Sequence, residues 1–404
     1  MRLGSANTYD NALQNLYTRQ SELSSQQEKL TSGKNINRPS DDPTGAGQAE
    51  RALTRITRVA TDQRALDVQR NSITMSESTL GEASNLMQSF RELVVSAGNG
   101  TLSPTDRASV AQQLTGLRDQ LFSLANRVDN NGLPLFGGLG SASTPFTDLT
   151  AGVTFNGISG QRASTETTLP GAMDGQAIWM NVPSGNGTFN VALPASPAAL
   201  NTGTVSTDTG QVVSQAALTG HNYSVNFSVV AGVTTYNVYD ATIAPSPVGP
   251  AILAAQPYVD GQAIQFGGMS FVAHGAPANN DAIQISPSTK SNVFNLLDDA
   301  IAGIKSGVQT RVNQTIPLAL TQIDASMSKI SSARGQAGDW LNRADNITNT
   351  QQGRTIQLTA DKARAEDMDM IKGLSDFKKI DTGYQVALQS YAQIQKLSFF
   401  NYIS

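Results

Sequence analysis

The chain has 404 residues, a formal net charge of −4 and no cysteine. The negative charge argues against a general nucleic-acid or anionic-membrane surface, because both favour a basic protein face. Disulfides and thiolate metal sites are excluded, and two histidines leave little material for metal or triad chemistry. Charged residues make up 15% of the chain, against roughly 25% in ordinary globular proteins. Such a weakly charged surface suits dense packing between subunits, and compositional drift explains it equally well.

The sequence carries no signal for membrane insertion or signal-peptide cleavage. No apolar run approaches the ~18 residues that a membrane span needs. The N-terminal segment MRLGSANTYDNALQ lacks the apolar core of a signal peptide. We therefore expect a protein that stays in the cytosol or is exported without a cleaved signal.

The N-terminal segment predicts a helix with a coiled-coil seam. Its positions alternate in steps of four and three, and they are Tyr9, Leu13, Leu16, Gln20, Leu23, Gln27 and Leu30. Gly33 suits the left-handed position that ends a helix. The next stretch contains Pro39, and a second helix is predicted from Asp42, as N-cap, with Pro43 at its first position, to about Ala97.

A third helix is predicted after Ser103, which is placed to cap it, with Pro104 at the first position. Its seam steps 4, 3, 4, 3, 4 and comprises Val110, Leu114, Leu117, Leu121, Leu124 and Val128. The sequence NNG, residues 130–132, is expected to end it.

Between about Phe136 and Pro287 the period of the apolar residues becomes two, which indicates β-structure. The stretch YSVNFSVVAGVTTYNVYDA predicts a hairpin with its turn near Ala231 and Gly232. The sequence DGQAI occurs at 174–178 and at 260–264, and we expect a strand after each copy. This recurrence indicates either two related strand units or chance.

Helical periodicity returns at about Ser291, and Pro317 is expected to open a long helix. A final helix carries apolar and aromatic positions at Phe377, Tyr384, Leu388, Tyr391 and Ile394, and the chain closes with KLSFFNYIS. Neither end of the chain can bury its apolar stripe alone.

These patterns predict an α+β multidomain protein. Both chain ends form a long antiparallel helical bundle or coiled coil, with a β-rich domain inserted at the tip. The expected segments are a coiled-coil helix 1–36 that pairs with 372–404, helical rod parts 37–140 and 289–371, and the β-rich domain 141–288. Two separate coiled coils flanking a β domain are the alternative.

No catalytic, cofactor or metal site is predicted. The Gly-rich stretches lack the spacing of phosphate loops or nucleophile elbows. The adjacent carboxylate pairs Asp41–Asp42 and Asp298–Asp299 do not face each other on a helix, so we expect them to cap helix starts.

The joined pieces resemble a known family. LTSGKNINRPSDDPTGAGQA, AGNGTLSPTDRASVAQQLTGLRDQLFSLAN and LFGG are similar to the N-terminal half of the bacterial flagellin superfamily, and the segment from about Val293 to Ser404 resembles its C-terminal half more loosely. Pro39, Pro43 and the aromatic end LSFFNYIS resemble the hook–filament junction branch of that family rather than true flagellins.

The resemblance implies a structural subunit of the extracellular flagellum, exported without a signal peptide through the flagellar type III channel. It implies a ring of identical subunits that joins hook to filament and templates flagellin assembly. The implied partners are other copies of the chain, the hook-proximal hook-associated protein, flagellin and a cytosolic export chaperone, with no nucleic acid and no membrane. A filament-forming flagellin is the alternative, and a secreted adhesin or an enzyme on a helical stalk is a remote one.

Two groups of residues are expected to carry assembly. The joint loop, with possible contacts between subunits, comprises Arg38, Pro39, Asp41, Asp42 and Pro43. The terminal-helix packing residues are Leu13, Leu16, Leu23, Leu30, Tyr384, Leu388, Tyr391, Ile394, Leu397, Phe399 and Phe400. Because glutamines dilute the seam and a short isolated helix pair is marginal, we expect the first and last ~35 residues to order on assembly.

Overall fold

The computed structural model describes residues 5–140, 144–194, 201–243 and 249–403, and the side chains of residues 5–9, 394 and 396–403 lie outside the description. The α+β fold class is confirmed, with long helices at both ends and β-structure between them. The helices are α1 Ser5–Ser32, α2 Pro43–Ala97, α3 Pro104–Ala125, α4 Val293–Lys305, α5 Gln309–Glu366 and α6 Met370–Ile403.

The strands lie between α3 and α4. They are β1 Phe146–Leu149, β2 Gly152–Phe155, β3 Val182–Pro183, β4 Phe189–Ala192, β5 Ser206–Thr207, β6 Gln211–Val212, β7 Tyr223–Val230, β8 Val233–Asp240, β9 Ala251–Pro257, β10 Ala263–Phe266, β11 Met269–His274, β12 Ala282–Pro287 and β13 Lys290–Ser291.

The chain divides into two compact units. The terminal unit comprises Met1–Ala65 and Asn346–Ser404, and the central unit comprises Leu66–Asp345. In the terminal unit α1 packs against α6. In the central unit ion pairs join α2 to α5 along their length. They are Arg70–Asp345 at 2.9 Å, Glu77–Arg334 at 2.7 Å and Arg91–Asp324 at 2.9 Å. The residue number of the α5 partner decreases as the residue number along α2 increases, so the two helices run antiparallel.

The capping of α3 by Ser103 is confirmed. The Ser103 hydroxyl accepts a hydrogen bond from the Asp106 amide at 3.2 Å, and the Asp106 carboxylate accepts from the Ser103 amide at 3.1 Å. The buried face of α3 differs from the predicted seam, because it includes Arg118 as well as Leu114 and Leu121. The helix ends at Ala125, earlier than predicted, so Val128 lies beyond it and is exposed.

Arg118 explains this shift, because its buried guanidinium is the centre of an ionic cluster whose carboxylates are partly exposed. Its Nε and Nη2 each donate to the Asp298 carboxylate at 3.0 Å, and its Nη1 donates to Asp148. Burial alone would lower the pKa of Arg118, but the bonds to the two carboxylates outweigh it and raise that pKa. The expected capping role of Asp298 is therefore wrong, since Asn292 caps α4 and Asp298 lies within that helix.

The two larger sheets of the central unit share an apolar core. A five-stranded antiparallel sheet has the order β4-β12-β7-β8-β9, and in a second sheet β11 pairs with β10 and with the short strands β5 and β6. Phe189, Val225 and Phe227 of the large sheet share their core cluster with Phe271 of the smaller one. The predicted hairpin is confirmed as β7–β8, and its turn residues Ala231 and Gly232 have φ of 49° and 82°.

Two expectations about local structure are wrong. The first DGQAI copy is followed by one helical turn, Gln176–Met180, whereas the second leads into strand β10, so the recurrence reflects no common strand unit. Asp174 explains the helical turn, since its carboxylate accepts from the Gln176 amide at 3.0 Å. Pro317 lies inside α5 rather than at its start, because α5 begins at Gln309.

Candidate functional site at the joint of the terminal helices

The terminal helix pair, α1 with α6, leaves its apolar stripe only half-buried. Leu13, Leu16, Leu23 and Leu30 are each partly exposed. Gln20 and Gln27, at the intervening seam positions, are exposed. This pair therefore keeps apolar surface in contact with solvent, which a further packing partner would bury.

On α6 the half-buried positions include Tyr384, Ala387 and Tyr391. Leu388 is 41% exposed, so packing at this turn falls one residue earlier than the sequence spacing indicated. The remaining predicted packing side chains lie outside the described ones, and these are Ile394, Leu397, Phe399 and Phe400.

The terminal helices connect to α2 and α5 through two crossings that hydrogen-bond to each other. We call residues 33–42 together with residues 367–369 the joint. Gly33 ends α1 with φ of 70°, as predicted, and its carbonyl accepts from the Met368 amide at 3.0 Å. The Asn35 amide donates to the Glu366 carbonyl at 2.8 Å. The two chain crossings are thereby held side by side.

A shared carboxylate reinforces the joint. Glu366 lies between the ammonium groups of Lys34, at 3.2 Å, and Lys362, at 3.3 Å. Burial alone would raise the pKa of Glu366, but the hydrogen bonds from the two lysines outweigh it and lower that pKa. The charged form of Glu366 therefore stabilises the joint at neutral pH.

The two adjacent aspartates of the loop satisfy backbone groups of their own chain. The Asp41 carboxylate accepts from the amides of Asn37, at 3.0 Å, and Arg38, at 2.9 Å. These backbone bonds lower the pKa of the Asp41 carboxyl. The Asp42 carboxylate accepts from the Thr44 amide at 3.0 Å, directly before Pro43 opens α2. The expected capping of a helix start is confirmed for Asp42, whereas Asp41 closes the preceding loop instead.

Arg38 and the loop prolines face solvent. The Arg38 side chain is 70% exposed, and its ion pair to Glu28 spans 3.5 Å. Pro39 and Pro43 are exposed as well. An exposed pair of this length contributes little to stability, so the Arg38 guanidinium is available to a carboxylate of another molecule.

Sequence reasoning missed the C-terminal half of the joint. Asp369 caps α6 by accepting from the amides of Ile371, at 3.0 Å, and Lys372, at 3.1 Å. Gln26 of α1 donates to the Gly373 carbonyl at 3.1 Å. A sequence signal for this helix start was available at AEDMDM, residues 365–370, where the helical periodicity is interrupted. The two aspartates there are residues that commonly cap the start of a helix.

The described residues include no group of three or more His, Asp or Glu placed to hold a metal ion. Within the same residues, no helix is long and apolar enough to cross a membrane. The arrangement at the joint consists of caps, ion pairs and exposed apolar surface, which serve packing rather than bond-making chemistry.

Comparisons with known proteins match both helical ends. Models of the bacterial flagellin N-terminal and C-terminal helical regions match residues 5–141 and 320–403. The chain is 36% identical to flagellar hook-associated protein 3 of Salmonella typhimurium over 154 residues, which are 38% of this chain and 48% of that protein. It therefore aligns with about half the length of that relative.

Two further similarities extend over nearly whole proteins. Flagellar hook-associated protein 3 of Escherichia coli is 22% identical over 99% of both chains. The crystal structure of the flagellar junction protein FlgL from Legionella pneumophila superposes with a TM-score of 0.66 at 30% identity. That superposition covers 74% of this chain and 99% of the Legionella chain.

Proposed function

The chain belongs to the bacterial flagellin family, in its hook-associated protein 3 branch, and we propose that it forms the junction ring connecting hook to filament. It is a structural protein of the flagellum and not an enzyme. The observation that carries this proposal is the similarity to hook-associated protein 3 along the whole chain, joined to the superposition on a flagellar junction protein.

The half-buried helix pair supports an assembling role. A helix pair that leaves Leu13, Leu16, Leu23 and Leu30 partly in water gains stability when a neighbouring subunit covers them. The terminal helices then pack between copies of the chain, with Tyr384 and Tyr391 supplying aromatic area from α6.

At the joint, Arg38 is the residue we assign to contacts between subunits. Its guanidinium is exposed and only loosely paired, whereas the carboxylates of Asp41 and Asp42 are occupied by backbone amides. Asp41 and Asp42 act on assembly through the shape of the loop, and Arg38 acts through a carboxylate on a neighbour.

As a member of this family the chain is a component of the extracellular flagellum and assembles with hook and filament components. The finer proposal is that it contacts the hook-proximal hook-associated protein on one side and flagellin on the other. We also propose that the chain is exported through the flagellar type III channel, and that a cytosolic chaperone covers its aromatic C-terminus before export.

Self-assembly of the purified chain tests this function against the rival of a filament-forming flagellin, which the flagellin models also describe. Light scattering and electron microscopy would follow the chain under precipitating salt, with flagellin fragments as seeds. A junction subunit is expected not to polymerise into long tubes when it is alone. Long tubes built from this chain only would establish the flagellin role and refute the junction role.

A further inference from the structure

The outward side of the five-stranded sheet carries a polar surface. Side chains alternate between the two faces of a strand, and Tyr223, Val225 and Phe227 of β7 point into the core. The intervening residues therefore point outward, in register with their neighbours on β8 and β12. We call this surface the amide face, and it comprises Ser224, Asn226, Asn237, Tyr239, Ala282 and Gln284.

The amide face includes a depression of about 760 Å³. Its floor includes Ser224, Asn226 and Gln284, and the turn before β12 supplies Asn279 and Asn280 at its border. A volume of this size accommodates a small ligand, since ligand sites span roughly 300–1,000 Å³.

The side chains of the depression keep unused hydrogen-bonding capacity. Within the described part of the chain, the side-chain amides of Gln284 and Asn280 make no hydrogen bond, and Asn226 uses its carbonyl oxygen only, to accept from the Ser224 hydroxyl. Each primary amide offers two donors and one acceptor in a plane. The depression therefore presents donors and acceptors side by side.

The described residues that line the depression carry one formal charge, a buried carboxylate. None of the described residues that line it is Lys, Arg, His or Glu. Its one carboxylate, Asp281, is 2% exposed and accepts from the amides of Thr202, Gly203 and Ala278 at 2.8–2.9 Å. Anionic ligands would find no cation there, so the chemistry favours a neutral ligand.

We propose that the amide face binds a neutral saccharide. A sugar hydroxyl is both a donor and an acceptor, so adjacent hydroxyls match the paired groups of Asn226 and Gln284. Tyr239, which is partly exposed and paired with Ser224 across the strands, lies on the same face of the sheet but does not line the depression. A charged polymer or a nucleic acid does not fit, because both need cationic side chains.

Saturation-transfer NMR on the full chain tests this proposal. The probes are neutral trisaccharides of glucose, mannose, galactose and N-acetylglucosamine, each offered at millimolar concentration. At least one is expected to receive saturation from the protein. The double variant Asn226→Ala with Gln284→Ala is expected to weaken its binding about tenfold, through the loss of one or two hydrogen bonds.

The matched control is Gln265→Ala, because Gln265 is an exposed glutamine on β10 of the other sheet. Gln284→Lys, which adds a charge without removing volume, is expected to weaken binding while thermal unfolding stays unchanged. Absence of saturation transfer for every probe overturns the proposal, as does equal binding by the double variant. A dimer that the double variant dissociates, without any saccharide signal, would assign the face to a second copy instead. Self-assembly scores the junction role and saturation transfer scores saccharide binding, so either proposal can fail alone.

Discussion

Replacement of Ile36 by alanine is expected to loosen the joint. Ile36 is 9% exposed, and it lies so close to α2 that a Cβ on Gly45 would come within 2.6 Å of its Cδ1. The substitution removes three carbon atoms, each worth ~0.8 kcal/mol when buried, so the transfer loss is about 2 kcal/mol before any cavity cost. A loss of this size corresponds to a ~30-fold change in a local opening equilibrium.

Amide hydrogen exchange measures that opening directly. The Asn35 and Met368 amides donate the bonds that join the two crossings, and their protection is expected to fall ~30-fold in Ile36→Ala. Leu53→Ala removes the same number of carbons from a side chain that is 40% exposed, so it serves as the control. Equal protection of the Asn35 and Met368 amides in the two variants would refute the reasoning.

Three further outcomes follow from the ionic contacts. Because the pKa of Glu366 is lowered, its stabilisation is present above the ordinary carboxyl range and is lost as pH falls through the lowered value. Acid is therefore expected to lower the protection of the Asn35 amide, relative to its intrinsic exchange rate at the same pH, in the natural chain more than in Glu366→Gln. An identical acid response of the two would contradict this. Arg118→Met removes both hydrogen bonds to Asp298 and is expected to lower the free energy of urea unfolding by about 2 kcal/mol. Arg118→Lys is expected to restore little of it, because an ammonium cannot donate two parallel bonds to one carboxylate. An Arg118→Met variant as stable as the natural chain would show that the cluster does not stabilise the fold. Arg38→Ala is expected to reduce assembly while changing the unfolding free energy by less than ~0.5 kcal/mol, and undiminished assembly would exclude the subunit contact.

The helical part of the fold was largely readable from local signals. Ser103 and Pro43 mark helix starts because their chemistry suits the first turn, and Gly33 marks an end because its φ is positive. Pro317 gave a wrong prediction because an interior proline removes only one backbone hydrogen bond, and the 58-residue helix α5 continues on both sides of it. Propensity alone does not distinguish these two cases.

The ionic cluster and the second half of the joint could not be read in the same way. Arg118 lies on the buried face of α3, where an arginine is rare unless its partners come from elsewhere in the chain. Those partners, Asp148 and Asp298, are 30 and 180 residues away. Glu366 likewise meets Lys34 only after folding. Pairings at such separations leave no periodic trace in the sequence.

The measurement that tests the central claim most directly is filament growth from isolated hooks. Purified chain would be added to hooks that carry the hook-proximal hook-associated protein, followed by flagellin, and hook ends would be scored by electron microscopy. The account predicts filaments only on hooks that received this chain, and fewer of them with Arg38→Ala. Filaments that grow equally well on hooks without the chain would contradict it.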